Sequence, residues 1–190
     1  MFSLLRLDME EKSCVLLTVG STRFDSLVKA IDDQSMVDIL SSKGFRKLYI
    51  QIGASEHIPT KLCGADECSA EADSGRQVHS NGFEVEWFRY TPSLASIMAI
   101  SGLIISHAGS GSIFESLHAG ASLITVPNDL LMDNHQAELA HQLEKMGHVI
   151  VATPSTLLET LDKFDDAALK PYNAPDGKSI AQFIHTLCDL

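Results

Sequence analysis

The sequence is organised around one stretch, Leu103-Ile-Ile-Ser-His-Ala-Gly-Ser-Gly-Ser-Ile-Phe-Glu-Ser-Leu117. Its first residues are apolar or small and predict a short buried strand. A Gly-Ser-Gly-Ser turn follows, and Ile113, Phe114 and Leu117 then lie on the apolar side of a predicted helix. The stretch therefore predicts a strand that turns directly into a helix, an arrangement common in α/β domains.

The turn between this strand and this helix has the features of an anion-binding site. A helix that begins at a glycine-rich turn leaves backbone N–H groups unpaired, and its dipole adds partial positive charge there. Small residues would let a ligand approach the backbone closely; they are Gly109, Ser110, Gly111 and Ser112. Glu115 lies one turn further along the same face, where its carboxylate would repel a phosphate but accept hydrogen bonds from sugar hydroxyls. The pattern favours a nucleotide, although many turns of this kind bind nothing.

Composition and charge predict one globular domain. The chain has 190 residues, of which 45% are hydrophobic and 21% charged, as is ordinary for soluble proteins. No apolar run approaches the roughly 20 residues of a membrane span, and we expect no signal peptide. A net charge of −11 argues against general binding to nucleic acid or anionic membranes. Scattered cysteines predict free thiols in a reducing compartment; they are Cys14, Cys63, Cys68 and Cys188.

The N-terminal third predicts a strand–helix–strand unit. Residues 14–19 form a continuous apolar run, typical of a buried parallel strand, and end at the small polar turn Gly20-Ser21-Thr22. Apolar residues then recur at helical spacing as far as Gly44, which predicts one helix. Residues 48–52 predict the second strand.

The segment 55–82 has no periodicity and predicts a long surface loop. Cys63 and Cys68 could bind zinc together with His57 or His79. However, a single Cys-x4-Cys without a second close pair is a weak signal, so we expect no metal.

The remaining residues alternate between strands and helices. Strands are predicted at 83–88, 103–106, 122–126 and 148–152, and helices at 93–100, from 113, from about 137 to Gly147, at 155–163 and at 178–188. About six strands alternating with helices predict a Rossmann-like, doubly wound and mainly parallel α/β sheet with its ligand crevice at the C-terminal strand ends. Three turns fall at such ends: 20–22, 107–112 and 128–136. Their convergence favours a nucleotide site.

Several better-known motifs are absent. After the first strand the sequence is Gly20-Ser-Thr-Arg-Phe-Asp, which lacks the dinucleotide fingerprint. Gly177-Lys-Ser179 follows a proline-containing loop and has Tyr172 where a P-loop needs its first glycine. The Gly-x-Ser-x-Gly elbow of α/β-hydrolases is also missing. His135 and His141 are six residues apart, on different helix faces, and do not form a zinc pair.

The stretch Asp133-Asn134-His135-Gln136 permits two interpretations. Asp133 as N-cap and Gln136 three residues later resemble a capping box, which is a purely structural role. Alternatively, His135 and Gln136 offer hydrogen bonds to the hydroxyls of a sugar from a helix start in the crevice. The sequence does not decide between them.

Three segments together resemble the nucleotide-sugar-binding C-terminal half of family 28 glycosyltransferases, which have the GT-B fold. They are Thr18–Thr22, Ser106–Glu115 and Pro127–Gln136. Within this family the chain resembles the catalytic subunits of the UDP-N-acetylglucosamine transferase of N-glycan assembly. Those subunits add the second N-acetylglucosamine to the dolichyl-diphosphate-linked acceptor.

The resemblance implies roles for individual residues. The UDP diphosphate would lie on Gly109, Ser110, Gly111 and Ser112, opposite Gly20, Ser21 and Thr22. Glu115 would bind the ribose, Tyr90 and Thr91 would lie beside the uracil, and Asn134, His135 and Gln136 would lie at the N-acetylglucosamine ring. His107 is a weak catalytic candidate. The implied reaction is inverting and needs no metal or other cofactor.

The resemblance also implies a partner. A GT-B enzyme has two halves, whereas this chain has one and no predicted membrane segment. A membrane-anchored, acceptor-binding subunit would recruit the cytoplasmic chain to the cytosolic face of the endoplasmic reticulum and is a candidate source of the general base. The apolar stripe of Ile180, Phe183, Ile184 and Leu187 would contact that subunit, or would pack on its own domain. The alternative function is a non-catalytic nucleotide-sugar-binding or regulatory module.

Overall fold

A computed structural model describes residues 12–64, 72–128 and 134–172. The described residues form one seven-stranded sheet with helices on both faces. The strands are β1 (Cys14–Thr18), β2 (Lys47–Gln51), β3 (Ser74–Val78), β4 (Glu84–Phe88), β5 (Ser101–Ser106), β6 (Ser122–Thr125) and β7 (Ile150–Val151). The helices are α1 (Asp25–Ile31), α2 (Gln34–Ser42), α3 (Thr60–Cys63), α4 (Ala95–Ile100), α5 (Ser110–His118), α6 (Asn134–Met146) and α7 (Leu157–Asp162), followed by a 3-10 turn at Asp166–Ala168.

The strand order confirms the predicted Rossmann-like fold. The order across the sheet is β3-β4-β2-β1-β5-β6-β7, and each pair is parallel except β3 with β4. The six parallel strands therefore follow the 3-2-1-4-5-6 order of dinucleotide-binding folds. The chain leaves β1 towards β2 and later returns to β5 on the other side of β1. The topological switch point, where such sheets bind ligands, lies between β1 and β5.

Two hydrophobic clusters cover the two faces of the sheet. Along β1 the buried side chains alternate, since Leu17 belongs to one cluster and Leu16 to the other. Apolar residues of α1, α2, α3 and α7 pack in the first cluster. Residues of α4, α5 and α6 pack in the second. Burial on both faces explains why the parallel strands appear in the sequence as continuous apolar runs.

The single helix predicted up to Gly44 is wrong, because the chain breaks between α1 and α2. Asp32 is buried and leaves helical geometry, and its carboxylate accepts hydrogen bonds from Leu62 N and His57 Nε2. Asp33 then caps α2 by accepting from Ser35 N at 2.9 Å. The apolar period continues through the break, so the period alone did not reveal it.

The loop predicted at 55–82 is also wrong in part. It contains α3 and the strand β3, which pairs antiparallel with β4 at the edge of the sheet. Every second side chain of β3 is exposed and none is fully buried, so its sequence lacks an apolar face. Its pairing is supported by the ion pair of Arg76 with Glu84 at 2.8 Å. Residues 65–71, including Cys68, lie outside the described residues.

Two other predictions concern the ends and composition of the chain. The helix predicted at 178–188 lies outside the described residues. Within the described ranges, no helix combines the length and apolar character that crossing a bilayer requires. The same ranges contain no cluster of three His, Cys, Asp or Glu side chains suited to a metal ion.

Candidate functional site

Two of the three predicted turns, 20–22 and 107–112, lie side by side at the C-terminal edge of the sheet. β1, β5 and β6 are neighbours, and backbone hydrogen bonds continue beyond the strands. His107 N donates to Thr18 O at 3.1 Å, and Val126 N donates to Ser106 O at 2.7 Å. The turns at 20–22 and 107–112 thus lie at C-terminal strand ends, as predicted, and they flank the switch point. Asn128 follows β6 beside them. Residues 129–133 lie outside the described residues.

The turn from β5 into α5 points unpaired backbone donors outward. Ala108 has a φ of 65°, a left-handed conformation that is costly for a residue with a Cβ. Gly109 is the N-cap of α5 and supplies no capping side chain. The N–H groups of Ser110, Gly111 and Ser112 therefore stay unpaired within the described chain, because the first helical hydrogen bond is from Ile113 N to Gly109 O.

Space is available in front of these donors. Ser110 and Gly111 are exposed. A Cβ added to Gly111 would meet no atom of the described residues within 4 Å. Nothing in the described fold requires glycine at this position, so the open space is available for a ligand. Partial positive charge from the helix dipole adds to the attraction of an anion.

Glu115 lies one turn along α5 on the same side. It is exposed, and among the described residues its carboxylate forms no hydrogen bond or ion pair. A carboxylate oxygen is an acceptor only, so an unpaired one beside an anion site is suited to neutral hydroxyl donors. This arrangement fits the diphosphate and ribose roles predicted for the turn and for Glu115, which remain predictions.

His107 fills the gap between the two turns. Its side chain is buried with 7% exposure, and Nδ1 lies 3.3 Å from Thr18 O. A Cβ on Gly20 would lie 2.8 Å from Cε1 of the ring, and one on Gly109 would lie 2.5 Å from Nε2. Only glycine leaves room for the imidazole on both sides.

The environment of His107 keeps the imidazole neutral. Burial lowers the pKa of His107, and the hydrogen bond to the Thr18 carbonyl offsets this only in part. A carbonyl can only accept, so Nδ1 carries the hydrogen and Nε2 is the unprotonated nitrogen. The ring thus lies at the anion site with the capacity to take up a proton.

The β1 turn is fixed from both sides. Gly20 has a φ of 64°, and Thr22 Oγ1 donates to Val19 O at 2.8 Å. On the β2 side, Phe24 N donates to Ser55 Oγ at 3.0 Å. On the β6 side, Asn128 Nδ2 donates to the carbonyl of Arg23 at 3.2 Å. The Thr22 hydroxyl therefore closes the turn, whereas Ser21 is exposed.

A carboxylate strengthens this attachment. Asp25 accepts hydrogen bonds from the backbone N–H groups of Glu56 and His57, each at 2.8 Å, and from Arg23. Partial burial alone would raise the pKa of Asp25, but these hydrogen bonds together lower it. The loop after β2 is thereby held against the turn after β1.

Tyr90 and Thr91 lie at the same sheet edge but further along it. They follow β4, which is separated from β1 by β2. Tyr90 is 60% exposed, and Thr91 Oγ1 makes only a 3.4 Å contact with Ser93 O. In the described parts of the chain no hydrogen bond joins these residues to the β5–α5 turn. The next helix, α4, packs against α5, and the position of Tyr90 and Thr91 beside the uracil remains a prediction.

The third predicted element is only partly described. The backbone of α6 begins at Asn134, so Asn134, His135 and Gln136 form its first turn. The side chains of these three residues lie outside the described part, as does Asp133. Their contacts with a sugar remain predictions.

Sequence reasoning missed the residues that hold the site together. Thr18 Oγ1 donates to Gln51 Oε1 at 2.5 Å and accepts from Gly20 N at 3.0 Å. Both side chains are buried. The available signal was a polar residue near the end of each apolar run. Ser55 and Asn128 gave no such signal, because both are loop residues whose partners are distant in sequence.

Comparison with protein families identifies the type of domain. The family described as the glycosyltransferase family 28 C-terminal domain matches residues 14–187. The UDP-N-acetylglucosamine transferase subunit ALG13 of Homo sapiens is 36% identical over 140 residues, which are 74% of this chain and 11% of the human protein. ALG13 of Cryptococcus neoformans is 36% identical over 164 residues, with 79% of this chain and 82% of that protein covered. The chain thus spans about a tenth of the human and mouse relatives but most of the fungal one.

Solved structures show the same architecture. The NMR solution structure of ALG13 superposes with a TM-score of 0.62 at 27% identity, covering 91% of this chain and 94% of that chain. The crystal structure of Acinetobacter baumannii MurG superposes with a TM-score of 0.59 at 19% identity, covering 86% of this chain and 44% of that one. The second likeness concerns the fold alone, and it places this chain on less than half of a larger molecule.

Proposed function

The chain belongs to the glycosyltransferase family 28 C-terminal domain family, and on that premise we propose that it binds UDP-N-acetylglucosamine at the switch point between β1 and β5. The observation that carries the proposal is the N-terminus of α5. Unpaired backbone N–H groups there face open space, and the unpartnered carboxylate of Glu115 lies one turn away. The diphosphate would accept hydrogen bonds from Ser110, Gly111 and Ser112, and the ribose hydroxyls would donate to Glu115.

Donor binding is tested by calorimetry with the full chain and UDP-N-acetylglucosamine. Glu115→Ala removes the acceptor of the ribose hydroxyls, and we expect roughly a hundredfold weaker binding, as for two hydrogen bonds to a charged group. Glu159→Ala is the matched control, because Glu159 is also an exposed helical glutamate and pairs only with the exposed Lys163. Equal affinities for wild type and Glu115→Ala would refute the ribose role.

For the reaction itself we propose inverting transfer to a dolichyl-diphosphate-linked N-acetylglucosamine. The acceptor hydroxyl oxygen forms a bond to the anomeric carbon of the donor while the bond from that carbon to the UDP oxygen breaks. The hydroxyl proton passes to a general base, and the electron pair leaves with UDP. Donors at the helix N-terminus stabilise the negative charge that grows on the leaving diphosphate.

In this proposal the acceptor is bound by a second protein. The fungal and mammalian relatives are named as transferase subunits. We therefore propose a membrane-anchored partner that binds the lipid acceptor and recruits this chain to the cytosolic face of the endoplasmic reticulum. Affinity purification of the tagged chain from detergent-solubilised membranes should recover transferase activity together with such a partner. Full turnover by the isolated chain would contradict this.

A further inference from the structure

A row of four buried polar side chains lies under the crevice. Gln51, Thr18, Ser106 and Thr125 are the last residues of β2, β1, β5 and β6, and they are direct neighbours in the sheet register. Each follows by two positions a residue of the second hydrophobic cluster or one packed against it, so all four share that face. Polar groups at the same level of four neighbouring strands, in an otherwise apolar layer, call for an explanation.

Thr18 is the member of the row that links the two turns of the site. Its hydroxyl donates to Gln51 Oε1 at 2.5 Å and accepts from Gly20 N at 3.0 Å. Its carbonyl accepts from His107 N at 3.1 Å and lies 3.3 Å from His107 Nδ1. One residue thus provides acceptors for the backbone of the β1 turn and for both the backbone and the ring of His107.

The hydroxyl can serve Gly20 because Gln51 fixes its direction. A threonine hydroxyl has one hydrogen and two lone pairs. When the hydrogen is committed to the Gln51 oxygen, a lone pair is directed at Gly20 N. Thr18 has no exposed surface, so it cannot touch a ligand and acts only through its neighbours.

A shift of the β1 turn would change the position of the His107 ring, because Gly20 contacts the ring. The ring is confined between Gly20 and Gly109, where an added Cβ would approach ring atoms to 2.8 Å and 2.5 Å. If Gly20 loses the hydrogen bond to Thr18, the wall on one side of the ring is free to shift. The ring then loses its fixed orientation beside the N-terminus of α5.

We propose that Thr18, oriented by Gln51, is a positioning residue of the donor site that sets the place of Gly20 and the orientation and tautomer of His107. The proposal deepens the donor-binding function and rests on it for its effect on affinity. The other two hydroxyls of the row provide controls. Ser106 Oγ has no partner in the described chain, and Thr125 Oγ1 makes only a 3.4 Å contact with Ile150 O.

The first test is nuclear magnetic resonance of the histidine rings in the ligand-free full chain. Long-range proton–nitrogen spectra distinguish protonated from unprotonated ring nitrogens, and a His107→Gln variant assigns the signals. In the wild type we expect hydrogen on Nδ1. In Thr18→Val, which keeps the shape and loses the hydroxyl, the Cε1 proton and both nitrogens should shift, with mixed tautomers.

Matched variants separate positioning from general loss of packing. Thr125→Val makes the same change at an equally buried threonine of the same row and should leave the His107 signals unchanged. Thr18→Ser restores the hydroxyl and should restore the wild-type signals. An Nε2-protonated ring in the wild type, or His107 signals indifferent to Thr18→Val, would overturn the proposal whether or not the chain binds a nucleotide sugar.

The second test measures the affinity for UDP-N-acetylglucosamine. Thr18→Val should raise Kd about tenfold, whereas Thr18→Ser and Thr125→Val should stay within about twofold of the wild type. Gln51→Leu should have a similar effect, and the double variant should be no worse than either single one, because both act through one hydrogen bond. If Thr18→Val does not fold, the same NMR spectra are recorded for Gln51→Leu, and the His107 signals of that variant test the proposal. If the wild type does not bind UDP-N-acetylglucosamine, the donor-site function is wrong. The ring measurements would still decide whether Thr18 positions His107.

Discussion

At Gly111 the fold and the proposed ligand favour different residues. Its backbone N–H is one of the unpaired donors of α5, and the space beside it is open. Glycine destabilises a helix relative to alanine by about 1 kcal/mol, so the fold alone would favour alanine. We attribute the glycine to the approach of a diphosphate, which an added methyl group would obstruct.

Gly111→Ala should therefore keep or raise stability while weakening donor binding. We expect Tm to stay the same or rise by about 2–3 °C, since the helical gain is at most about 1 kcal/mol in a chain of this size. The Kd for UDP-N-acetylglucosamine should rise at least about tenfold, because a 1.4 kcal/mol loss has that effect. Thermal unfolding and calorimetry on the same preparation check both parts. Unchanged affinity would show that the ligand does not approach this position.

The buried imidazole of His107 leads us to predict that donor affinity depends on pH. In the free chain burial lowers the pKa of His107, so the imidazole is neutral at pH 7. A diphosphate bound beside the ring would favour the imidazolium and raise that pKa, so binding should take up a proton. Affinity for UDP-N-acetylglucosamine should then increase as pH falls from about 8 to about 6, around the ordinary histidine pKa.

Two measurements check the histidine prediction. Calorimetry in two buffers of different ionisation enthalpy gives the number of protons taken up on binding. His107→Gln should remove both the uptake and the pH dependence. The nucleotide sugar is a suitable ligand because its diphosphate is esterified at both ends and does not titrate in this range. Proton release, or uptake that persists in His107→Gln, would contradict the assignment.

At the scale of the elements, the break between α1 and α2 depends on two acidic residues with different roles. Asp32 turns inward to Leu62 N and His57, and Asp33 caps α2 through Ser35 N. The hydrogen bond from Ser35 lowers the pKa of Asp33. The cap therefore stabilises the fold above the unfolded pKa of about 3.9, and its contribution is lost as pH falls through the lower folded pKa.

Asp33→Ala should cost about 1 kcal/mol at pH 7, the usual value of an N-cap, and should lower Tm by about 3 °C. The difference from the wild type should shrink as the pH is lowered towards the folded pKa of Asp33. Asp38→Ala is the control, because Asp38 lies on the exposed face of the same helix and accepts only a 3.3 Å hydrogen bond from Gln34. Thermal unfolding across a pH series measures both variants. If Asp33→Ala and Asp38→Ala lower Tm equally, Asp33 does not act as the N-cap of α2.

The elements that the sequence predicted are those whose hydrophobic pattern suffices to define them. The run at Val15–Leu17 is buried on both faces and is apolar throughout, so β1 was predictable. By contrast, β3 at Ser74–Val78 is an exposed edge strand held by pairing with β4, and pairing leaves no pattern in a single sequence. The break at Asp32 was hidden because its cause is a contact with Leu62, thirty residues away.

The same distinction applies to the site. The glycine-rich turn and Glu115 were predictable because local spacing places them on one helix face. The left-handed conformation of Ala108 and the contact of His107 with Gly20 were not, since each depends on how two neighbouring strands end. Thr18 and Gln51 were visible only as polar interruptions of apolar runs. Their hydrogen bond follows from the parallel register of β1 and β2.

At the scale of the whole molecule, the question is how an acidic chain would hold the acidic ligand proposed for it. The net charge of −11 opposes the approach of a diphosphate. Charges further apart than about 8 Å are largely screened at physiological ionic strength, so the groups next to the ligand decide. At the switch point those groups are backbone donors at the N-terminus of α5 and the ring of His107.

If the donors at the N-terminus of α5 stabilise the leaving diphosphate as proposed, transfer should proceed without a divalent cation. With the partner-containing complex purified from membranes, an excess of EDTA should leave the rate of N-acetylglucosamine transfer within about twofold, because helix-end donors stabilise the leaving diphosphate. The Kd of the isolated chain for UDP-N-acetylglucosamine should likewise stay unchanged when EDTA is added. Gly111→Ala provides the internal comparison, since it impairs the same donors and should lower transfer with or without EDTA. Loss of activity in EDTA that Mg²⁺ or Mn²⁺ restores would show that the charge on the diphosphate is neutralised by a metal ion instead.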